Sequence, residues 1–222
     1  MASTSTTAMF DRIAPRYDVL NRIITAGIDR RWRKRVVAEA RTRPGPWLDV
    51  CAGTLDLAAM LSKERPSERV VAVDLAAQMM AQGRHKAPSV ETVTADACAL
   101  PFESATFGVV VCAFGVRNVA SPEAFVREAK RVLRPGGVLV VLEAFRPSAP
   151  LAAFLHRTYV TYAFPALGAV IARDRSAYEY FVRSVRSFMT RAAFEQLLQQ
   201  QGFRVRGFDV TLGMAGIVVG DA

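Results

Sequence analysis

Asp49-Val50-Cys51-Ala52-Gly53-Thr54-Leu55-Asp56 is an acid-led glycine turn that closes a short apolar run. A second run, Val70-Val71-Ala72-Val73, ends on Asp74 about twenty residues later, the interval at which a second strand tip presents its acid to a ribose. A tight turn at one strand tip and a carboxylate at the next is how a parallel α/β sheet holds a nucleoside and the chain attached to it. The pair therefore predicts a nucleoside-containing cofactor. Gly53 gives the backbone freedom to approach that ligand. It stands alone, with Leu55 two residues on, so the G-x-G-x-x-G signature of a pyrophosphate cradle is absent. The plainer alternatives are a simple strand-to-helix turn at Gly53 and a helix N-cap at Asp74.

Around this turn, strands and helices alternate. Trp47–Cys51, Val70–Asp74, Val90–Thr94 and Phe107–Ala113 read as strands, with helices over 55–64 and 76–85. Ser121-Pro122 is an N-cap followed by proline at the first helical position, Phe125, Ala129, Val132 and Leu133 form an apolar face, and Pro135-Gly136-Gly137 is read as the helix stop. Val138–Leu142 follows as strand five. Thr190 caps a helix that Gly202 ends, and strands near 203–210 and 214–219 suit an antiparallel edge hairpin. This order predicts a Rossmann-like α/β fold with a seven-stranded, mostly parallel sheet. A single domain over 1–222 is expected: an N-terminal helical lid at 8–45, interrupted at Pro15 and near Gly27, a cofactor core at 46–147, an aromatic helical cap at 148–188, and a C-terminal helix and hairpin at 189–222.

Composition narrows the class. With 222 residues, 51% hydrophobic and 22% charged, the chain is globular. Cys51, Cys98 and Cys112 lack metal-ligand spacing and read as free thiols of a reducing cytosol, so no metal is expected. The apolar stretch 151–172 carries His156 and Arg157 and is cut by Pro165 and Gly168, which makes it a poor membrane span. The net charge of +9 is densest at Arg30-Arg31-Trp32-Arg33-Lys34-Arg35. Ile24, Ile28, Trp32, Val36 and Ala40 recur every fourth residue there, with basic residues on the other faces. The alternatives are a solvated surface helix or a peripheral contact of helix 28–40 with an anionic membrane; no basic strand interleaved with aromatics suggests nucleic acid.

The residues at the strand tips complete the pattern. Asp96-Ala97 sits just past strand three, before Ala99-Leu100-Pro101-Phe102, where a carboxylate could accept from an adenine amino group. Phe114-Gly115-Val116-Arg117-Asn118-Val119 follows strand four. Together with Met9-Phe10-Asp11-Arg12-Ile13-Ala14-Pro15-Arg16-Tyr17-Asp18, Leu20-Asn21, Gly27-Ile28, Leu133-Arg134-Pro135-Gly136-Gly137 and Ala215-Gly216-Ile217-Val218, these stretches carry a resemblance. The chain resembles class I S-adenosylmethionine-dependent methyltransferases and, more narrowly, the ubiquinone/menaquinone biosynthesis C-methyltransferase family.

That resemblance implies S-adenosyl-L-methionine as cofactor and a reduced, prenylated quinone as the small-molecule substrate. It matches Thr54, Asp74 and Asp96-Ala97 to positions that contact the cofactor; Asp49, Gly53, Leu75 and Ala113 are expected to join them, and the chemistry is expected at Arg117, Asn118 and Tyr17. Arg117 would stabilise a phenolate, with a structural ion pair as its plainer alternative, Asn118 would orient the oxygen, and Tyr17 would shape the quinol pocket from the lid. His156 is a further candidate base in the cap. Three positions depart from the family pattern: Ala113 replaces a serine, Leu55 a glycine and Gly108 an aspartate. A homodimer is a further expectation. Two other readings stay open: a methyltransferase of another small molecule such as a phenolic, polyketide or amine, and a cofactor-binding scaffold within a quinone-synthesis complex.

Overall fold

Apolar runs too short to be helices and too continuous to have a wet face become the central strands of one sheet, while the half-exposed β-rich runs at 91–94 and 204–210 become its edges. The computed structural model describes residues 4–147 and 175–222. In chain order the elements are α1 (Thr4–Ile24), α2 (Asp29–Ala40), β1 (Trp47–Val50), α3 (Asp56–Glu64), β2 (Val70–Asp74), α4 (Ala77–Gly83), β3 (Glu91–Thr94), β4 (Phe107–Ala113), α5 (Pro122–Val132), β5 (Leu133–Glu143), α6 (Arg175–Ser187), α7 (Arg191–Gln200), β6 (Arg204–Val210) and β7 (Ala215–Asp221). Short 3-10 turns cover 84–86, 116–118 and 211–213.

The sheet runs β3-β2-β1-β4-β5-β7-β6. The first five strands are mutually parallel, and β7 lies antiparallel to both β5 and β6. The chain winds outward from β1 to β3 and then restarts on the other side at β4. The C-terminal tips of β1 and β4 therefore flank a topological switch point, where open α/β sheets bind their ligands.

Side chains alternate between two cores, as the two-residue period requires. On one face Leu48, Val50, Val110, Cys112, Leu139 and Val141 pack against Phe125, Ala129 and Val132 of α5 and Phe194 and Leu198 of α7. On the other, Trp47, Ala72, Val109, Val111, Val140 and Ile217 pack against α2 and α3 through Trp32, Val36, Leu57 and Leu61. Two helices start where capping residues were read: Ser121 Oγ accepts from Ala124 N at 3.1 Å and Thr190 Oγ1 from Ala193 N at 3.2 Å.

The structure corrects several sequence expectations. Pro15 does not interrupt α1, which runs through it; the break comes at Ala26 and Gly27, both at positive φ. An interior proline costs a helix about 3 kcal/mol, so contacts from outside the helix must offset it. Pro135-Gly136-Gly137 does not stop α5, which ends at Val132; it forms the irregular start of β5, where the register against β4 shifts. Arg33 is not on a solvated face. It is 7% exposed, and its Nε lies 3.4 Å from Asp29 Oδ2. Its guanidinium also sits 5.5 Å from the Phe114 ring centroid. The cap residues 148–174, with His156, lie outside the described residues.

Candidate active site

The tips of β1, β2 and β4, the residues just after β3, and α1 line an open cleft. Of the expected cofactor residues, Gly53, Asp74, Leu75, Asp96, Ala97 and Ala113 line it, and Tyr17 and Asn118 line it too. Asp49, Thr54 and Arg117 are not among the lining residues.

The cofactor side is held by the backbone. Gly53 adopts φ +52, a left-handed conformation that favours glycine. Its N–H donates to Asp74 Oδ2 at 2.8 Å, while Ala76 N–H donates to Asp74 Oδ1 at 2.8 Å. The two strand tips are thus tied through one carboxylate, each oxygen of which keeps a further lone pair. Burial raises the Asp74 pKa against these two bonds. Asp96 Oδ1 similarly accepts from Cys98 N at 2.8 Å, closing an Asx turn beside Ala97.

Asp49 sits beneath this turn and is 1% exposed. Its Oδ2 is a buried oxygen with no hydrogen-bond partner among the described residues. Burial pushes its pKa up to about 7, opposed by the nearby Arg33 guanidinium and the Ala58 N–H. An orphaned buried carboxylate oxygen suits a cationic ligand group. Asp74 suits ribose hydroxyls, and the Asp96-Ala97 edge suits an adenine. The residues present fit S-adenosylmethionine.

Leu55 does not crowd the cleft. It takes φ +64, and its side chain is fully buried among Trp32, Leu57 and Leu61 in the α2–α3 core. Burying a leucine is worth about 2–3 kcal/mol, more than the about 1 kcal/mol cost of the left-handed backbone. Thr54 is also buried, and its hydroxyl turns away from the cleft to donate to Asp18 Oδ1 at 2.5 Å.

The acceptor side is held by side chains. At the β4 exit, Phe114 adopts φ +61 and Gly115 presses on the β1 exit. A Cβ at Gly115 would overlap Cys51 Cβ and lie 2.8 Å from Cys112 Sγ. Arg117 is buried, with Nη1 2.5 Å from Glu143 Oε1 and 3.0 Å from Phe114 O, and Nε 3.3 Å from Ser184 Oγ. Burial opposes its charge, but Glu143, assisted by Tyr17 and Tyr180, raises its pKa. The guanidinium is thereby engaged beneath the 116–118 turn. Asn118 carries the exposed face of that turn. Its Nδ2 donates to Phe114 O at 3.1 Å, and its Oδ1 accepts from Tyr180 OH at 2.9 Å. The Phe114 carbonyl can only accept, so the amide orientation is unambiguous.

Sequence reading did not assign Glu143 or Tyr180 to the site. Both lie far from Arg117 in the chain and carry no local motif. Tyr180 could be noticed only as one aromatic of the cap. Phe10 packs edge-on against Tyr17 and Tyr180, with centroids 6.2 and 6.1 Å apart.

Residues 1–221 match the model of the ubiE/COQ5 methyltransferase family. The chain belongs to this family. A demethylmenaquinone methyltransferase of Thermus thermophilus is 44% identical over 220 residues, covering 96% of this chain and 99% of that one. A ubiquinone/menaquinone biosynthesis C-methyltransferase of Syntrophotalea carbinolica is 41% identical, covering 97% and 93%. Among solved structures, a putative methyltransferase in complex with the Trm112 activator of Haloferax volcanii superposes with TM-score 0.70 at 14% identity, covering 96% of this chain and 97% of that one. A possible histamine N-methyltransferase of Thermotoga maritima gives 0.67 at 18%, covering 96% and 98%. At such identities these two bear on the fold alone. As a family member, the protein is an S-adenosylmethionine-dependent C-methyltransferase.

Proposed function

We propose that the protein methylates a ring carbon of a demethylated polyprenyl quinol, a naphthoquinol or benzoquinol of menaquinone or ubiquinone biosynthesis. The observation that carries this reading is the placement of Asn118, fixed by Tyr180 and Phe114, on the wall of the same cleft as Asp74 and Asp96. The relatives' names supply the substrate class.

The cofactor, when bound, supplies an electrophilic methyl on a sulfonium. Asp74 and the Asp96-Ala97 edge would hold its nucleoside, and the buried Asp49 carboxyl would lend negative charge from behind the glycine turn. A quinol carbon becomes a strong nucleophile when the neighbouring hydroxyl gives its proton to water; once the carbon has taken the methyl, its ring proton leaves to water and restores the aromatic quinol. Asn118 retains one N–H beyond its bond to Phe114 O, and that donor stabilises the phenolate. Arg117 holds the turn that presents Asn118 and contributes positive charge from behind it, with Glu143 as counter-ion. Tyr17 and Phe10 close the apolar side and favour a dry, aligned pocket.

The substrate's tail would keep it in a membrane. Arg30, Arg31, Lys34 and Arg35 are exposed on α2, while Trp32, Val36 and Val37 face inward. These cations suit a peripheral contact with anionic lipid on the cytoplasmic side. No helix among the described residues is long and apolar enough to cross a membrane.

Incubation with labelled S-adenosylmethionine and reduced demethylated quinol, followed by mass spectrometry, should place the label on a ring carbon. Label on oxygen, or none on any quinol, defeats the proposal. Charge reversal at Arg30, Arg31 and Lys34 should abolish flotation with anionic liposomes; unchanged flotation removes the membrane contact.

A further inference from the structure

Helix α1 covers the cleft with Thr6, Thr7, Phe10 and Tyr17, yet its own attachment is thin. Of its residues whose side chains are described, only Ile13 and Ala14 are buried. Pro15 interrupts its internal hydrogen bonding. A helix so weakly packed belongs to the low-stability part of a fold and opens locally unless something else restrains it.

Polar contacts supply the restraint. Asp18, near the end of α1, accepts from Thr54 Oγ1 at 2.5 Å through Oδ1 and from Lys86 Nζ at 2.7 Å through Oδ2. The same Nζ donates to Asp56 Oδ1 at 2.6 Å. One lysine therefore joins the covering helix to the first residue of α3, and the threonine of the cofactor turn completes the cluster. Lys86 is 20% exposed as a side chain, and Asp18 and Asp56 are 38% and 34% exposed, so solvent and salt reach the cluster. Lys86 and Thr54 together hold the Asp18 pKa below its ordinary value despite partial burial. A second tether lies about two helical turns earlier, where Asp11 Oδ1 accepts from Gln78 N at 3.1 Å, and near the N-terminal end Thr6 hydrogen-bonds Tyr180.

We infer that Asp18 and Lys86 are positioning residues for the cofactor: they latch α1 over the cleft, and cofactor exchange requires this latch to open. Thr54 then serves the cofactor indirectly, by holding Asp18. The inference rests on the cleft being the S-adenosylmethionine site.

The test uses the full chain with Lys86→Met, Asp18→Asn, the near-isosteric Thr54→Val and the conservative Lys86→Arg. Amide hydrogen exchange over 4–24 without cofactor, and dissociation rates of S-adenosylmethionine and S-adenosylhomocysteine by stopped flow, are the readouts. In Lys86→Met and Asp18→Asn, both exchange and dissociation should rise by about tenfold. Single-turnover methyl transfer at saturating cofactor should change by less than about threefold. Lys86→Arg should restore both rates, and Thr54→Val should give a smaller effect of the same sign. Added salt should speed dissociation from the wild type but not from Lys86→Met. Unchanged α1 exchange in Lys86→Met overturns the latch, and so does faster exchange with unchanged dissociation. If the charge variants fail to fold, Thr54→Val decides: a wild-type dissociation rate there overturns it. Asp74→Asn separates the two readings. It should weaken cofactor binding without altering α1 exchange; if binding survives, the cleft assignment has failed and not the latch.

Discussion

The two sides of the cleft are built differently. On the β1–β2 side, Asp74 and Asp96 accept from N–H groups of their own or adjoining turns, at Gly53, Ala76 and Cys98. On the β4–β5 side, Arg117 and Asn118 are held by the side chains of Glu143, Ser184 and Tyr180 and by the Phe114 carbonyl. Backbone donors cannot be mutated away and need only a strand tip in the right place. Side-chain tethers can be lost one at a time, and each can be altered to fit a different acceptor. The cofactor side therefore suits a ligand shared by many enzymes of this fold, and the acceptor side suits one that varies between them.

The sharpest way to break this comparison is Glu143→Gln. It keeps the shape but removes the counter-ion of an arginine that is 7% exposed as a side chain. Stranding a buried charge costs about 4 kcal/mol. Urea denaturation should show a loss of that order together with loss of turnover. A loss below about 1 kcal/mol would mean the acceptor turn is held by something else.

Asp49→Asn tests the opposite side and should act with the opposite sign. The folded-state pKa of Asp49 is raised to about 7 from 3.8, so the folded protein binds this proton more tightly than the unfolded chain does. The carboxyl therefore imposes no penalty below about pH 4, a growing one as pH rises through 4 to 7, and a constant one above. Without cofactor, Asp49→Asn should be more stable than the wild type by about 4 kcal/mol at pH 8 and equal to it near pH 4. Denaturation midpoints across that range measure the gap. A gap independent of pH would show that burial does not govern this group. Cofactor affinity should fall in the same variant.

Leu55→Gly has the smallest expected effect. It relieves a left-handed backbone but loses a buried side chain and adds unfolded-chain entropy, for a net loss of about 2 kcal/mol. Calorimetric cofactor affinity should stay within about twofold. A large gain in affinity would show that Leu55 obstructs the cleft after all.

The same contrast explains what could be read in advance. Four of the five parallel strands were visible because buried strands are continuous apolar runs, the exposed edge strand β3 (Glu-Thr-Val-Thr) by its β-branched residues, and the edge hairpin because its two runs are joined by a short connection. Gly53, Asp74 and Asp96 were visible because backbone-held sites are written at strand tips, within a few residues. The Arg117 network was not, since its partners Glu143, Tyr180 and Ser184 come from β5 and α6 and no local pattern joins them. Pro15 and the Pro135-Gly136-Gly137 turn misled for another reason: tertiary contacts, polar tethers at α1 and sheet pairing at β5, overrode strong local signals. Thr54 and Leu55 occupy the expected turn, but a left-handed residue and a bonded hydroxyl send both side chains elsewhere.

Gly115 leaves room for nothing between the two turns, because any side chain there would strike Cys51 and Cys112. Main-chain contact with a thin sulfur spacer thus sets the distance between the donor and acceptor turns. Methyl transfer along a line tolerates little error in that distance. The Gly115–Cys51 contact acts as a gauge block: it fixes the reach of the transferred group whatever side chains line the acceptor wall.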